Sequence, residues 1–334
     1  MLNSGIIGLG VGERHIAGYL SDSRCNVKIL CDTDPSKLAE VGKRYSQCEL
    51  TTNPDVILDD PEIDIVSIAS YDNFHADQVV KAINSGKHVF VEKPLCLLSN
   101  ELELISKALD KNANIKLSSN LILRQSPNFL DVKKSIDDNS FGKLYYIEGD
   151  YNYGRLNKIT SGWRGDTPNY SVMHGGGIHL IDLISWFVGE QALEVNAIGN
   201  KIVTEGSKFL YHDMITTFIR FQSNIIAKVT ANFGSVTPHH HRISVYGTES
   251  TFFQNNEKGV YYLKRGDESK KREINLEFDN LHKINVLKNF ISHILDGSNP
   301  SVSQKEVLDV MAISLAVEKS LVSNKWEKIK YVTS

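Results

Sequence analysis

The first third of the chain alternates short β-branched segments with amphipathic segments of helical period, and this alternation restricts the fold more than any other feature. The segments predicted as strands are residues 4–9, 27–31, 63–69, 88–91 and 115–118. Helical patterns separate them, and one of these begins at Asp34-Pro35, an N-cap residue before a proline at the first helical position. Such alternation is typical of βαβ units with parallel strands. We therefore predict an α/β domain with a doubly wound parallel sheet.

The pattern changes near residue 122, where strand-like segments begin to follow one another with few helices between them. These segments are residues 144–151, 195–203, 214–221, 225–233, 242–246, 260–264 and 273–278. Most of them alternate in polarity, which predicts an α+β domain with a large, open, mostly antiparallel sheet. Helical patterns cover residues 178–188 and 281–295, and a capping box of Ser303 and Glu306 opens a last helix.

A chain of 334 residues has room for about two domains. We expect the parallel-sheet domain over residues 1–121 and the second domain over residues 122–300. The C-terminal helix and tail, residues 301–334, are expected to pack back on the N-terminal domain.

Composition excludes several classes of function. The formal net charge is −3, with 37 Lys and Arg against 40 Asp and Glu, so the cationic excess needed for nucleic-acid backbones is missing. Four cysteines without CxxC pairs argue against a disulfide framework or a zinc site. The N-terminus lacks the pattern of a signal peptide, and no segment approaches the ~20 apolar residues of a membrane-spanning helix. We expect a cytoplasmic protein that binds neither nucleic acid nor membrane.

A run of three histidines, His239-His240-His241, does not predict a metal site. In an extended segment successive side chains point to opposite faces, so three adjacent histidines cannot converge on one ion. We expect no bound metal.

A glycine-rich turn, Gly8-Leu9-Gly10-Val11-Gly12, follows the first predicted strand and leads into a helix. In this context the backbone N–H groups and the positive end of the helix can approach a pyrophosphate closely. The spacing departs from the GxGxxG fingerprint, whose third glycine would stand where this chain has Glu13. By itself the turn is equally compatible with an ordinary tight connection between a strand and a helix.

Asp32 favours the dinucleotide interpretation. It ends the second predicted strand, close to the offset of about 20 residues after the glycines at which a carboxylate receives the ribose hydroxyls. Asp34 adds negative charge and no arginine follows immediately, so a 2′-phosphate would be repelled and NAD is favoured over NADP. A capping or turn role is the alternative for Asp32.

Further motifs complete a recognisable set. The predicted strand 88–91 is followed by Glu92-Lys93-Pro94, the strand 63–69 leads into SYDNFH, and the segment GGGIHLIDL begins at Gly175. Together with the glycine turn, and in this order, these motifs resemble the Gfo/Idh/MocA family, the group of glucose-fructose oxidoreductase and inositol dehydrogenase. The resemblance covers nearly the whole chain.

The resemblance implies a Rossmann NAD-binding domain, and a second domain that binds substrate and is used for dimer contacts, with nicotinamide and substrate meeting between them. A homodimer or homotetramer is therefore expected. Lys93 would touch substrate and nicotinamide, His179 matches the catalytic histidine, and the bond before Pro94 is a candidate for the cis form. The positions that would border the cofactor, besides the turn 8–12 and Asp32, are Ser70, Tyr71, Asn73, His75 and Glu92.

The residue types suit the oxidation of a secondary alcohol. A histidine removes the hydroxyl proton near neutral pH, and a lysine cation stabilises the developing alkoxide. A packing role on an amphipathic helix is the alternative for His179. One departure is that Gly175 stands where family members usually carry an aspartate, four residues before the histidine. His174 or Asp182 would have to compensate, and for Asp182 a structural role is the alternative.

Candidate substrate contacts come from the second domain. Aromatic rings and guanidinium groups suit a sugar ring and a carboxylate or phosphate, although each of these residues is alternatively a packing residue of a loop. They are Arg124, Tyr153, Arg155, Trp163 and Arg164, beside Lys93, His179 and Asp182.

The sequence thus predicts an NAD-dependent oxidoreductase that acts on a secondary hydroxyl of a sugar or nucleotide-sugar. Redox-assisted glycoside cleavage or elimination with retained NAD is a related alternative. A non-catalytic regulator of the same fold, which senses NAD or a sugar, is the alternative from another class.

Overall fold

The computed structural model describes residues 1–255 and 258–332. Within them the chain forms two compact units. The first contains Met1–Ile122 and Asp279–Leu308, and the second contains Leu123–Phe278 and Asp309–Tyr331. Among the described helices, none combines the length and the apolar character that crossing a membrane requires.

The first unit is built on a six-stranded parallel sheet. Its strands are β1 (Leu2–Ile7), β2 (Cys25–Cys31), β3 (Glu49–Thr51), β4 (Ile65–Ile68), β5 (His88–Val91) and β6 (Leu117–Ser119). Their order across the sheet is β3-β2-β1-β4-β5-β6, which confirms the predicted doubly wound sheet. The direction of winding reverses between β1 and β4. Sheets of this kind bind ligands outside the carboxyl ends of the strands at that point.

Helices connect the strands of the first unit. They are α1 (Glu13–Leu20), α2 (Pro35–Arg44), α3 (Asp55–Asp59), α4 (His75–Asn84) and α5 (Ser99–Lys111). Helix α2 begins as predicted, because the Asp34 carboxylate accepts hydrogen bonds from the backbone N–H groups of Ser36 and Lys37. Strand β3 and helix α3 were not predicted, since three to five residues show too little periodicity.

The second unit is built on a nine-stranded sheet. Its strands are β7 (Leu144–Asn152), β8 (Ala192–Asn200), β9 (Met214–Phe221), β10 (Ile226–Asn232), β11 (His240–Gly247), β12 (Thr251–Gln254), β13 (Gly259–Tyr262), β14 (Lys271–Ile274) and β15 (Glu327–Lys328). The order is β14-β13-β12-β11-β7-β10-β9-β8-β15. Neighbouring strands are antiparallel except β7 and β10, which confirms the mostly antiparallel sheet.

Among the helices that accompany this sheet are α6 (Pro127–Asp137), α7 (Asn157–Thr160) and α8 (Ile178–Val188). Helix α8 packs on the sheet so closely that a Cβ atom on Gly149 of β7 would lie 3.2 Å from a methyl carbon of Leu180. Helix α6 was not predicted, although Ser126-Pro127 is a typical helix start. Its buried apolar side chains are few, with Phe129 and Val132 inside and Leu130 exposed.

The segment from residue 279 to the C-terminus is grouped with the two units differently from the expected boundaries. It contains α9 (Asn280–Lys283), α10 (Asn285–Asp296) and α11 (Gln304–Ser323). The pattern places residues 279–300 in the second domain, whereas the structure groups them with the first unit, where Leu287 packs on Gly18 and Phe290 on Phe90. Residues 309–331 group with the second unit instead, where Tyr331 donates a hydrogen bond to the Ala192 carbonyl.

Of the two helices predicted near the C-terminus, the first is interrupted and the second begins where it was predicted. The helix predicted over residues 281–295 is broken at Ile284, and Leu281 of its expected apolar stripe is 71% exposed, because α9 is a separate short helix. The capping box at α11 is confirmed. The Ser303 hydroxyl accepts from the Glu306 N–H, and the Glu306 carboxylate accepts from the Ser303 N–H.

Candidate active site

The glycine turn lies at the carboxyl end of β1. Gly8 has a positive φ of +88°, and a Cβ atom there would overlap the carbonyl oxygen of Ala69, which directly follows β4. The Gly8 N–H donates to the Cys31 carbonyl, and the next N–H, of Leu9, donates to the Asp32 carboxylate at 2.7 Å. Asp32 thereby fixes the end of β2 against the turn, and its other oxygen accepts from the Asp34 N–H.

The spacing of the glycines has a steric reason. A Cβ atom on Gly12 would overlap the Gly8 carbonyl oxygen and lie 3.0 Å from the Ala69 Cβ, so the third glycine is required at position 12. A Cβ atom on Gly10 would meet no atom within 4 Å, so no packing within the described chain requires this glycine. Glu13 in the first turn of α1 pairs with Lys37 and Arg44.

The turn has the properties of a pyrophosphate site. In the described part of the chain, none of the backbone hydrogen bonds formed outside helices and strands uses the N–H group of Gly10, Val11 or Gly12. These donors stand at the N-terminus of α1, where the helix dipole favours an anion. The open space at Gly10 leaves room for such a group. The residues present therefore fit the diphosphate of a dinucleotide, with Asp32 at the end of β2 beside them.

The loop after β4 is tied to the Lys93-Pro94 bond by His75. The His75 side chain is fully buried, with Nδ1 2.7 Å from the Pro94 carbonyl oxygen and Nε2 3.1 Å from that of Ser70. Because carbonyl oxygens only accept, both contacts are hydrogen bonds only when both ring nitrogens carry protons. His75 thus lies inside the first unit, where it fixes the loop that the resemblance places beside the cofactor.

The other residues of that loop lie nearer the surface. Tyr71 is 48% exposed, and Ser70 and Asn73 are half-buried. The Ser70 hydroxyl donates to the Gln78 side chain at 2.7 Å, which anchors the loop to α4.

Glu92 is a buried carboxylate at the end of β5. Its Oε1 lies 3.2 Å from His15 Nε2 and accepts from the Asn120 amide at 2.6 Å. Burial opposes the charge, but these hydrogen bonds and the charges of His15 and Lys93 outweigh it and lower the pKa of Glu92 to about 2. Sequence reasoning missed His15 and Asn120 as partners, since neither belongs to a motif. Their contacts become visible only when β5, β6 and α1 are assembled.

Lys93 follows this carboxylate. Its side chain is half-buried, and the peptide bond to Pro94 is cis, the form for which the resemblance makes it a candidate. Its charge is among the groups that stabilise ionised Glu92.

In the second unit, His179 stands in the first turn of α8. The preceding segment Met173–Gly177 is a π-helical turn, and its three glycines pack against side chains. A Cβ atom on Gly176 would lie 2.5 Å from the Tyr151 ring and 2.9 Å from that of Phe233, and one on Gly177 would overlap the Met173 sulfur. This close packing brings the start of α8 onto the sheet. His179 is 8% exposed and stacks on Tyr151, with ring centroids 6.3 Å apart.

Helix α11 holds this turn through two side chains one helical turn apart. The Ser171 hydroxyl donates to the Glu318 carboxylate and accepts from the Met173 N–H, while His174 Nδ1 lies 2.7 Å from the Ser314 hydroxyl. Burial raises the pKa of Glu318 to about 7 and lowers that of His174 to about 4. Nothing in the sequence links Ser314 and Glu318 to this turn, because about 140 residues of chain separate the partners.

Arg124 and Asp182 form a buried ion pair. The guanidinium donates to the carboxylate through Nε at 3.0 and 3.1 Å and through Nη2 at 2.6 Å, and both side chains are at most 2% exposed. This pair ties the segment before α6 to α8 three residues after His179. Asp182 was expected to replace the missing aspartate by orienting His179. Its carboxylate is bonded to Arg124 instead, a partner that the sequence did not reveal.

Aromatic side chains cluster around Tyr151, the ring on which His179 stacks. The Tyr151 ring also contacts Tyr153, Phe233 and the rings of His239 and His241. Two guanidinium groups lie over rings, that of Arg155 5.5 Å from the Tyr153 centroid and that of Arg164 4.4 Å from the Trp163 centroid. Arg155 is exposed, Trp163 and Arg164 are half-buried, and Tyr153 is 8% exposed. Cation–π pairs of this kind hold the guanidinium planes in place.

The three consecutive histidines are arranged by strand geometry. His239 and His241 share one face, with ring centroids 5.0 Å apart, while His240 reaches the Pro238 carbonyl and the Asn152 side chain. Burial and neighbouring positive charges lower the pKa of His239 to about 4 and that of His241 to about 3. Within residues 1–255 and 258–332, no group of three or more His, Cys, Asp or Glu side chains is arranged to hold a metal ion.

Comparison with known proteins assigns the chain to a family. Residues 2–120 match the Gfo/Idh/MocA profile described as an oxidoreductase family with an NAD-binding Rossmann fold, and residues 129–253 match the C-terminal domain of the same family. The chain belongs to the Gfo/Idh/MocA family. It is therefore an oxidoreductase with an NAD-binding Rossmann domain.

Several Gfo/Idh/MocA members are similar to it over most of their length. Myo-inositol 2-dehydrogenase of Thermotoga maritima is 25% identical over 98% of each chain. The scyllo-inositol 2-dehydrogenase (NAD(+)) of Bacillus subtilis is 29% identical over 74% of this chain and 72% of its own. A levoglucosan dehydrogenase structure in complex with NADH and levoglucosan superposes with a TM-score of 0.89, at 22% identity, over 99% of this chain and all of its own. This last likeness establishes the fold.

The free space at Gly10 makes a first prediction. Gly10→Ala leaves the thermal unfolding temperature unchanged, because its methyl group meets no protein atom, but weakens NAD binding about tenfold or more by occupying the diphosphate space. Gly12→Ala instead lowers the unfolding temperature, because its methyl group overlaps the Gly8 carbonyl. Calorimetric titration with NAD and thermal melts measure the two effects. Equal NAD affinity of Gly10→Ala and the unmodified protein would contradict this placement.

The raised pKa of Glu318 predicts a pH-dependent stability. The folded protein keeps a proton on Glu318 up to a pH of about 7, whereas a free glutamate releases it near 4.5, so stability falls as the pH rises between these values. Glu318→Gln removes this dependence and raises the free energy of unfolding at pH 8 by about 1–3 kcal/mol. Urea denaturation from pH 4.5 to 8 measures it, with the exposed Glu277→Gln as control. Parallel curves for the unmodified protein and Glu318→Gln would refute it.

The buried ion pair predicts strong coupling between two substitutions. Arg124→Met leaves the Asp182 carboxylate buried without its cation and lowers the free energy of unfolding by about 3–5 kcal/mol. Arg124→Met combined with Asp182→Leu leaves no charge behind, so the double variant loses less than Arg124→Met alone. A double-mutant cycle by urea denaturation measures the coupling. Additive losses would mean that the two groups do not stabilise each other.

Proposed function

We propose that this protein is an NAD-dependent dehydrogenase that oxidises a secondary ring hydroxyl of a sugar, an inositol or a nucleotide-linked sugar to a ketone. The observation that carries the proposal is that one chain has both a lysine suited to stabilise negative charge and a histidine suited to accept a proton. The Rossmann unit holds Lys93 beside an ionised Glu92, and the second unit holds a nearly buried His179 that stacks on Tyr151. The named inositol and levoglucosan dehydrogenases among its relatives support this substrate class.

Each residue has a distinct task in this proposal. The turn 8–12 and Asp32 would hold NAD+, which would supply the hydride acceptor for the carbon that bears the hydroxyl. His179 takes the hydroxyl proton, and the Lys93 ammonium stabilises the negative charge that develops on the same oxygen. Glu92 places a negative charge next to Lys93, and His15 and Asn120 help to keep Glu92 ionised.

Substrate binding is proposed for the aromatic and cationic pairs of the second unit. The rings of Tyr153 and Trp163 offer apolar faces that suit the C–H face of a sugar ring. The guanidinium groups of Arg155 and Arg164, held over those rings, suit ring hydroxyls or the phosphates of a nucleotide-linked sugar. Arg124 and Asp182 are proposed to act indirectly, because their buried ion pair fixes the position of α8.

A homo-oligomer is part of the proposal. Three neighbouring strands of the large sheet expose apolar side chains: Ile198 on β8 is 66% exposed, Phe218 on β9 is 42% exposed and Ile226 on β10 is 45% exposed. Exposed apolar side chains on adjacent strands favour association. We therefore propose that this sheet is the contact surface of a homodimer or homotetramer.

Purified protein with NAD and a panel of inositols, anhydrosugars, hexoses and nucleotide-linked sugars tests the function. We expect steady growth of the NADH absorbance with at least one class. Lys93→Ala and His179→Ala each lower kcat/KM about 100- to 10,000-fold, the range for loss of a general acid–base or charge-stabilising group. Lys43→Ala, at an exposed lysine of the same unit, leaves kcat/KM unchanged.

Other outcomes of the same assay point to the alternatives. Product that appears without net NADH, from protein that retains NAD through purification, indicates redox-assisted cleavage or elimination. Ligand binding that survives Lys93→Ala, without turnover on any member of the panel, indicates a regulator that senses its ligand.

A further inference from the structure

Glu13, the residue at which the turn departs from the GxGxxG pattern, binds two cations of the following helix. Its Oε2 lies 3.0 Å from the Lys37 ammonium, and its Oε1 lies 2.5 Å from the Arg44 guanidinium. Lys37 and Arg44 are about two helical turns apart in α2, so they lie on the same face of that helix. Because α1 begins at Glu13, the two ion pairs join the start of α1 to α2.

A chain of hydrogen bonds connects Lys37 to the carboxylate at the ribose end of the cofactor site. Asp32 directly follows β2, where a carboxylate receives the ribose hydroxyls of a dinucleotide. Its Oδ1 accepts from the Asp34 N–H at 2.9 Å. Asp34 Oδ1 accepts in turn from the Ser36 and Lys37 N–H groups at 2.8 and 3.2 Å. The backbone of Lys37 therefore lies at the ribose end, and its flexible stem lets the ammonium reach groups around the start of α2.

A cation at this place matters for the choice between NAD and NADP. NADP carries a phosphate on the ribose 2′ oxygen, and a nearby cation is what accommodates this phosphate in Rossmann domains. Lysine binds phosphate as a flexible point charge. Lys37 has the position and the charge for this role, but its ammonium is held by Glu13, and their side chains are 30% and 26% exposed. Its charge is therefore offset by a carboxylate of the same unit.

The pairing also protects the diphosphate site from Glu13. Glu13 directly follows Gly12 of the turn whose N–H groups fit the diphosphate, and an unpaired carboxylate there would repel that anion. Lys37 and Arg44 offset its negative charge. The ion pairs thus allow the diphosphate to approach, while they keep the charge of Lys37 from a phosphate at the ribose.

We propose that Glu13 is a cofactor-specificity residue, which holds the Lys37 ammonium so that it does not stabilise the 2′-phosphate of NADP. The carboxylates of Asp32 and Asp34 repel this phosphate, and Glu13 removes the attraction that would offset the repulsion. The inference concerns the NAD-binding unit alone and depends on no assignment of substrate or catalytic residue. It also gives a function to the charged residue at the departure from the glycine pattern.

Fragments of the two cofactors test the inference without turnover. Calorimetric titration compares 2′,5′-ADP with 5′-ADP, which differ only by the 2′-phosphate. We expect Glu13→Gln to raise the ratio of the affinity for 2′,5′-ADP to that for 5′-ADP by about three- to tenfold, because the released Lys37 ammonium gains a charged contact with the phosphate. The ratio cancels any effect of the substitution on the diphosphate.

A second background lowers the repulsion at the ribose. Asp32→Asn removes the charge of this carboxylate but keeps an oxygen that can accept from the Leu9 N–H. We expect Glu13→Gln to raise the affinity ratio by a similar factor in this background. Retained binding of 5′-ADP and an unfolding temperature close to that of the unmodified protein show that each variant keeps its site.

Two further variants identify the cause of the gain. Glu40→Gln changes the net charge by the same amount, because Glu40 pairs with Arg44 at 3.2 Å, but it leaves Lys37 bound to Glu13. We expect it to leave the ratio unchanged. Lys37→Met combined with Glu13→Gln is expected to abolish the gain.

Three outcomes would each overturn the inference. They are an unchanged ratio in Glu13→Gln in both backgrounds, an equal gain in Glu40→Gln, and a gain that survives Lys37→Met. The fragments carry no nicotinamide and the titration uses no polyol. If the protein reduces NAD with no member of the polyol panel, the proposed function fails, and the titration still decides the role of Glu13.

Discussion

Close contacts that only glycine allows determine the geometry of both functional regions of this protein. At the glycine turn, the Gly8 and Gly12 positions touch Ala69 and each other so tightly that a Cβ atom on either would overlap its neighbour. At the start of α8, Gly175, Gly176 and Gly177 lie against Tyr170, Tyr151 and Met173 in the same way. In the first region the contact leaves backbone N–H groups available at a helix start, and in the second it sets a histidine against aromatic rings.

Buried charges support these contacts in different ways. Glu92 is kept ionised by His15, Asn120 and Lys93, and the charge of Asp182 is matched by Arg124. Glu318, whose nearest partner is a serine hydroxyl, has a raised pKa instead. The difference follows from whether a cation is close enough to offset the loss of hydration. The carboxylate beside Lys93 thus stays charged, and the carboxyl that holds the turn before α8 is neutral below a pH of about 7.

Much of the fold could be predicted because the periodicity of long segments is strong. The alternation in the first third and the consecutive strands after residue 122 predicted both sheets. Short or weakly apolar segments carry little pattern, and for this reason β3, β12, β15, α3, α6 and α7 were not predicted. For the site, the glycine turn, Asp32, Lys93 and His179 stood in recognisable motifs. His15, Asn120, Ser314 and Glu318 stood in none, since a hydrogen bond between distant segments leaves no local trace in the chain.

The sequence by itself determined the fold class, the family and the positions of the principal motifs, because these depend on periodicity and local spacing. Tertiary structure decided which side chains meet. The buried His75 ring lies between two carbonyl oxygens, and Asp182 forms an ion pair with Arg124. The Tyr170 hydroxyl occupies the space where a side chain at residue 175 would lie. The physical reason is that hydration, charge pairing and steric exclusion act between neighbours in space, and only the folded chain defines who those neighbours are.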